Sequence, residues 1–189
     1  ALAVAGAGII SALAVDRGIS FWIALPLGIF ITGVLGLIIE RTFLRAMVGE
    51  PVFSVAILTI GIDILIRTVL DNWIGLNPRY MGDSFSQMGN FGSLNIGGVA
   101  IQFLELTALL SAIAVIALLS VFFKFSKYGL AMRATSFDQE ASLAQGINVG
   151  RVIALVWFIA AMLASLSGFF ITGGSVSYTH LTLPTNIGV

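Results

Sequence analysis

YGLAMRATSFDQEASLAQGINVGR, residues 128–151, is the one long polar, charged segment between two apolar runs that are each long enough to cross a bilayer. Its residues suit grip rather than chemistry. Ser136 followed by Gln139 is a capping-box pattern, so the sequence predicts a helix starting at about Phe137. Gly146 offers a left-handed stop, and Asn148 lies just beyond it. Such a helix has about nine residues, or roughly 13 Å at 1.5 Å per residue. Phe137, Ala141 and Ala144 then share one face. Asp138 falls in the first turn, where the helix dipole favours a negative charge. One reading is a solvated connecting loop. The other is a cytoplasmic docking helix that fits a cleft in a soluble partner.

Outward from this segment the chain is apolar. Its 189 residues are 58% hydrophobic and 10% charged, with a mean hydropathy of +1.06; soluble domains carry about 25% charged residues. The expected fold class is an all-α integral membrane protein. It is a polytopic transmembrane helix bundle with about five membrane segments, each close to the length a bilayer requires, and a small extracytoplasmic hairpin. The zero net charge suggests no nucleic-acid partner. The absence of cysteine excludes disulfides and thiolate chemistry. The chain starts at Ala1 without a basic region ahead of its apolar run, so it reads as beginning inside a helix rather than with a signal peptide.

Residues 152–172 and 103–123 form the spans on either side of the polar segment. Residues 52–70 and 19–39 precede them, and residues 1–15 read as the latter part of another span. Pro26 should kink the 19–39 helix. Gly28, Thr32 and Gly36, and again Ala160, Ala164 and Gly168, recur at helical spacing and let a second helix approach closely; ordinary use of small residues in membrane helices also accounts for them. Glu40 to Pro51 reads as a short polar turn, with Pro51 suited to the first position of the next helix. Asp63 and Arg67 are four apart and can pair on one face, with Asp71 one turn on. Charges at membrane depth normally face protein or water, so the pair could line the route of a zwitterionic substrate. The competing reading is a structural pair near the membrane edge, with Arg67 snorkelling outward. Residues 72–102 form the longest polar loop, with Trp73 and Tyr80 as interface anchors. Within it, Gly97-Gly98 between two short alternating runs signals a hairpin over 93–102.

Counting cations by loop sets the orientation. Arg41, Arg45, Lys124, Lys127, Arg133 and Arg151 fall on one side, and only Arg17 and Arg79 on the other. The positive-inside rule places the first set, and the 128–151 segment with it, in the cytoplasm. From about Ser177 the chain turns abruptly Thr-rich, and residues 177–189 resemble the translated end of a sequencing-library adapter. They read as a non-native tail. His180, the only histidine, lies there beside threonines and forms no metal site.

Three stretches carry a resemblance to a known family: GLIIERTFLRAMVGEP (36–51), SVAILTIGIDILIR (54–67) and YGLAMRATSFDQEASLAQGINVGRV (128–152). They resemble the permease subunit of bacterial ABC importers for branched-chain amino acids, of the high-affinity type with two different permeases. The likeness covers nearly all of residues 1–176, as a partial permease domain with an ATPase-docking loop at 124–151. That family's loop has the form Gly-x3-Arg-Ala-x3-Asp, then Ala, then Gly-Ile-Asn. Gly129, Arg133, Ala134, Asp138, Ala141, Gly146, Ile147 and Asn148 match it. Glu140, Ala141, Ser142 and Gly146 also resemble the general importer loop Glu-Ala-Ala-x3-Gly, with Ser for the second Ala. The resemblance implies a multi-pass protein of the bacterial inner membrane that works by alternating access. Its partners are two cytoplasmic ATP-binding subunits, a second permease subunit and a periplasmic substrate-binding protein. Docking falls on Gly129, Arg133, Ala134, Phe137, Asp138, Glu140, Ala141, Gly146 and Asn148. No cofactor is implied.

The chain carries no Gly-x4-Gly-Lys-Ser/Thr phosphate loop, so ATP hydrolysis falls to a partner. Two other transport readings remain open. One is a urea, amide or sugar permease of the same superfamily. The other is an ion-coupled transporter with Asp63 as the coupling carboxylate. An intramembrane enzyme is disfavoured, because no span offers paired carboxylates, a Ser-His pair or metal ligands.

Overall fold

The computed structural model describes residues 2–47, 51–74, 94–96, 99–101 and 103–178. Helix α1 (Leu2–Ser11) runs on through a π-helical turn, Ala12–Asp16. Helix α2 (Phe21–Ile39) takes in Pro26 without interruption and runs on through a π-helical turn, Glu40–Leu44, and a 3-10 turn, Arg45–Met47. Helix α3 is Val52–Ile74, and strands β1 (Leu94–Ile96) and β2 (Val99–Ile101) follow. Then come α4 (Phe103–Phe125), α5 (Lys127–Phe137), α6 (Gln139–Ala144) and α7 (Val149–Tyr178). Among the described residues, four helices are long and apolar enough to cross a membrane, and residues 2–14 form a shorter apolar helix.

The expected architecture holds, with corrections. The strands pair antiparallel with Leu94 opposite Ile101 and Ile96 opposite Val99. The expected polar turn from Glu40 is largely helical, because the chain stays wound through Met47 before Pro51. The Pro51 carbonyl then accepts from the Ser54 and Val55 amides and opens α3. The hairpin glycines, the Tyr80 anchor, Arg79 and most of the expected tail lie outside the described residues. The final helix continues through Ser177 and Tyr178.

The core is organised on α7, which packs most extensively against α1 and α2. Lipid is as apolar as leucine, so membrane helices associate by close packing rather than by hydrophobic expulsion. Small residues supply that closeness. Where α1 crosses α7, Gly6 lies directly on Ser165 and Gly168 lies on the Ala3 carbonyl. A Cβ on Gly36 would meet the Ala161 Cβ at 2.5 Å, and one on Gly33 would meet Phe158 at 2.7 Å. The expected stripe on α7 is therefore shifted. Ala161, Ser165 and Gly168 are buried, while Ala160 is exposed, because 3.6 residues per turn favours a step of four and then three. On α2 the expected stripe holds, and the buried Thr32 hydroxyl donates to the Gly28 carbonyl at 2.8 Å. Phe21 and Phe169, with ring centroids 5.5 Å apart, close the opposite end of the bundle with Ile10.

A side chain at Gly168 must displace backbone. Gly168→Val is expected to destabilise by about 1–3 kcal/mol, the usual cost of overpacking. Nothing lies within 4 Å of a Cβ built on Gly61. Gly61→Ala is therefore expected to leave the melting temperature in detergent unchanged or slightly raised. Equal effects of the two substitutions would disprove the α1–α7 contact.

Candidate functional site

The polar segment folds as a corner made of two helices. At the end of α4, Ser126 adopts an extended conformation (φ −85°, ψ 140°), and its Oγ accepts from the Tyr128 amide at 3.2 Å. Gly129 is buried against the end of α4; a Cβ there would come 2.7 Å from the Phe122 carbonyl oxygen. Ser126 and Gly129 together let α5 fold back tightly off α4. The sequence analysis assigned no helix before Phe137, whereas residues 128–136 belong to α5.

Helix α5 runs through Ser136, whose hydroxyl donates to the Arg133 carbonyl at 2.8 Å and caps nothing. The break comes two residues later. Asp138 is extended (φ −155°, ψ 113°), its amide donates to the Ala134 carbonyl at 3.2 Å, and its Oδ1 accepts from the Ala141 amide at 3.0 Å. Asp138 is thus the cap of α6, and the short helix has six residues rather than nine. Phe137 closes α5 instead of opening α6. Gly146 supplies the expected stop at φ 82°. Its amide donates to the Leu143 carbonyl, and the Ile147 amide donates to the Ser142 carbonyl, both at 3.0 Å. This is the paired Schellman closure. Asn148 then caps α7, its Oδ1 accepting from the Arg151 amide at 3.1 Å.

The expected site residues separate into two groups. Gly129, Ala134, Asp138, Gly146 and Asn148 shape the backbone of the corner. Arg133, Phe137, Glu140 and Ala141 are exposed on it. Phe137 is 92% exposed, and Leu130 and Leu143, which the sequence reading did not single out, are also exposed. The Arg45 guanidinium lies over the first turn of α7, where a Cβ on Gly150 would meet its Nη2 at 2.5 Å. This contact draws the turn after α2 to the end of the bundle that holds Lys124, Lys127, Arg133 and Arg151.

Asp63 and Arg67 do pair, with Arg67 Nε donating to Asp63 Oδ2 at 2.8 Å; their side chains are 37% and 55% exposed respectively. Their depth differs from expectation. Helix α3 continues to Ile74, so Asp63 sits at its midpoint, about 16 Å from either end, and Arg67 lies two turns from the C-terminus. Asp63 also lines a cavity of about 370 Å³ between α1, α2, α3 and α7, while Arg67 approaches from outside that lining. The side chain of Asp71 lies outside the described residues.

The described residues thus form a membrane-type helix bundle with a polar, capped corner between two spans. The family described as "Branched-chain amino acid transport system / permease component" matches residues 1–187, and the chain belongs to that family. The chain is a multi-pass inner-membrane protein. It is 27% identical over 148 residues to the high-affinity branched-chain amino acid transport system permease protein BraD of Pseudomonas aeruginosa, covering 76% of this chain and 47% of that protein. It is 26% identical over 140 residues to the LivH permease protein of Salmonella typhimurium, covering 74% of this chain and 46% of that protein. The chain therefore spans about half the length of the curated relatives it matches. No solved structure matches it.

Asp138→Ala removes the cap of α6 and is expected to cost about 1 kcal/mol locally, with faster hydrogen exchange at the Ala141 and Ser142 amides. Asp138→Ser should retain most of the protection. Unchanged exchange in Asp138→Ala would show that Asp138 is not the cap.

Proposed function

We propose that the chain is the membrane-embedded part of a permease subunit in an ATP-driven importer, most directly one for branched-chain amino acids. The observation that carries this reading is Phe137. A 92% exposed phenylalanine stands at a polar corner whose backbone is fixed by Ser126, Gly129, Asp138, Gly146 and Asn148. An exposed apolar side chain on a backbone that its caps hold in place is well suited to insert into a partner's cleft. Burying it contributes roughly 1.5–3 kcal/mol to association. Arg133, Glu140 and Ala141 flank it with a charge of each sign and a small residue.

In this reading the α5–α6 corner faces the cytoplasm and docks on an ATP-binding subunit. That side carries Arg41, Arg45, Lys124, Lys127, Arg133 and Arg151, and the β1–β2 hairpin faces outward. A second permease subunit completes the translocation path, and a periplasmic binding protein delivers cargo. ATP binding draws the two ATPase subunits together, and their movement reaches the membrane helices through α6. Asp63, with Arg67 holding it, borders the substrate route. The midspan position of Asp63 supports a place on that route over a structural pair at the membrane edge.

Ala141→Arg in the assembled importer should abolish ATP-driven uptake while the protein remains in the membrane at normal abundance. Phe137→Ala should weaken co-purification of the ATPase by at least tenfold, as loss of a buried phenylalanine implies. Full uptake by Ala141→Arg would refute the docking role.

A further inference from the structure

Glu40 is a carboxylate that the bundle buries and does not pair. It is 3% exposed, and no ion pair or side-chain hydrogen bond reaches it among the described residues. It lies one turn beyond Gly36, on the face that Gly33 and Gly36 turn to α7, and the π-helical turn it opens touches α7. Burying a carboxylate without a counter-charge is costly. Five residues on, Arg45 has the complementary mismatch. Its guanidinium lies over the first turn of α7, where a Cβ built on Gly150 would be 2.5 Å from its Nη2 and 3.6 Å from the Oδ1 of Asn148. That is the positive end of the helix dipole, which disfavours a cation, and Arg151 stands in the same turn. The backbones of the two mismatched residues touch, because the Arg45 amide donates to the Glu40 carbonyl across the π-helical turn. Such turns are irregularities that often mark functional positions. Turning the Arg45 side chain off α7 and onto Glu40 would relieve both mismatches. Arg41 is exposed, and as the next residue along the helix it does not face Glu40.

We propose that Arg45 is a two-position latch. In this structure it rests on the first turn of α7, beside the Asn148 cap. In its other position it pairs with Glu40 and leaves α7. Resting on the docking reading above, the latch regulates the α5–α6 corner. With Arg45 on α7, the end of α2 and the start of the corner's outgoing helix are held together. With Arg45 on Glu40, the charge is satisfied within the α2 segment, and α7 is released from it. The two positions satisfy different groups, so a small movement of the corner is enough to change which one is occupied.

The test is an unfolding double-mutant cycle of Glu40→Gln and Arg45→Gln in the complete permease complex in lipid nanodiscs. It is run in the parent protein and again with Gly150→Ala, whose methyl group displaces the guanidinium from α7 and alters neither charge. In the parent, Glu40→Gln should leave the unfolding equilibrium unchanged or shifted towards the folded state, because it removes an unpaired buried charge. Its coupling to Arg45→Gln should be under about threefold in the parent and at least about tenfold in Gly150→Ala. Arg41→Gln in place of Arg45→Gln should show no coupling in either background. ATP-driven uptake should fall at least about tenfold in Glu40→Gln although the protein is no less stable, a split that a purely structural carboxylate would not give. Equal coupling to Arg45 in both backgrounds would overturn the latch. So would coupling to Arg41, a destabilised Glu40→Gln parent, or full uptake by Glu40→Gln. The cycle reads unfolding, so it stands apart from transport. A parent complex without uptake whose coupling rises in Gly150→Ala refutes the importer and leaves the latch standing. Intact parental uptake with unchanged coupling refutes the latch alone.

Discussion

The fold depends on how closely α7 lets its neighbours approach. In lipid the solvent gives helices little reason to associate, so contact must be gained through dispersion at short range. Gly6 on Ser165 and Gly168 on the Ala3 carbonyl bring α1 and α7 almost backbone to backbone. Gly33 and Gly36 do the same for α2 against Phe158 and Ala161. One cost is visible among the described residues: the Ser165 hydroxyl is fully buried and has no hydrogen-bond partner. Thr32, in the equivalent setting on α2, meets the Gly28 carbonyl instead. Helices α3 and α4 present broad apolar faces outward, including Ile60, Ile64, Ile113 and Ile116. Those faces are compatible with lipid or with further helices.

Much of this organisation was legible from residue order. Apolar runs of span length located the membrane helices, and the glycine pair located the hairpin. The errors have local causes. Ser136 and Asp138 are both good capping residues two positions apart, and only the course of α5 decides between them. A serine hydroxyl can also turn back to the carbonyl three residues earlier, as Ser136 does, and then it marks no helix start. The stripe on α7 was counted in strict steps of four, which drifts off a face that repeats every 3.6 residues. The span containing Asp63 was ended at residue 70 because a polar loop was read from Asn72 onward, yet α3 continues to Ile74.

The family loop pattern can now be divided by physical role. Gly129 permits close approach, Asp138 and Asn148 cap helices, and Gly146 takes a positive φ. These requirements would hold for any such corner, whatever it touches. Arg133, Phe137, Glu140 and Ala141 have no such backbone role and stand exposed on the corner. The cavity, in contrast, was beyond reach of sequence patterns. Its lining comes from four helices, and Trp157 and Ala164 look like ordinary span residues until α3 is set opposite them.

The cap at Asn148 has a mechanical meaning. It starts a helix that continues unbroken past Trp157, so the corner and the cavity wall belong to one stiff rod. From Asn148 to Trp157 that rod is about 13 Å long. A hydrogen-bonded helix resists compression and shear far better than a loop. A displacement of the corner would therefore arrive at the tryptophan as translation or tilt, with little lost to bending on the way.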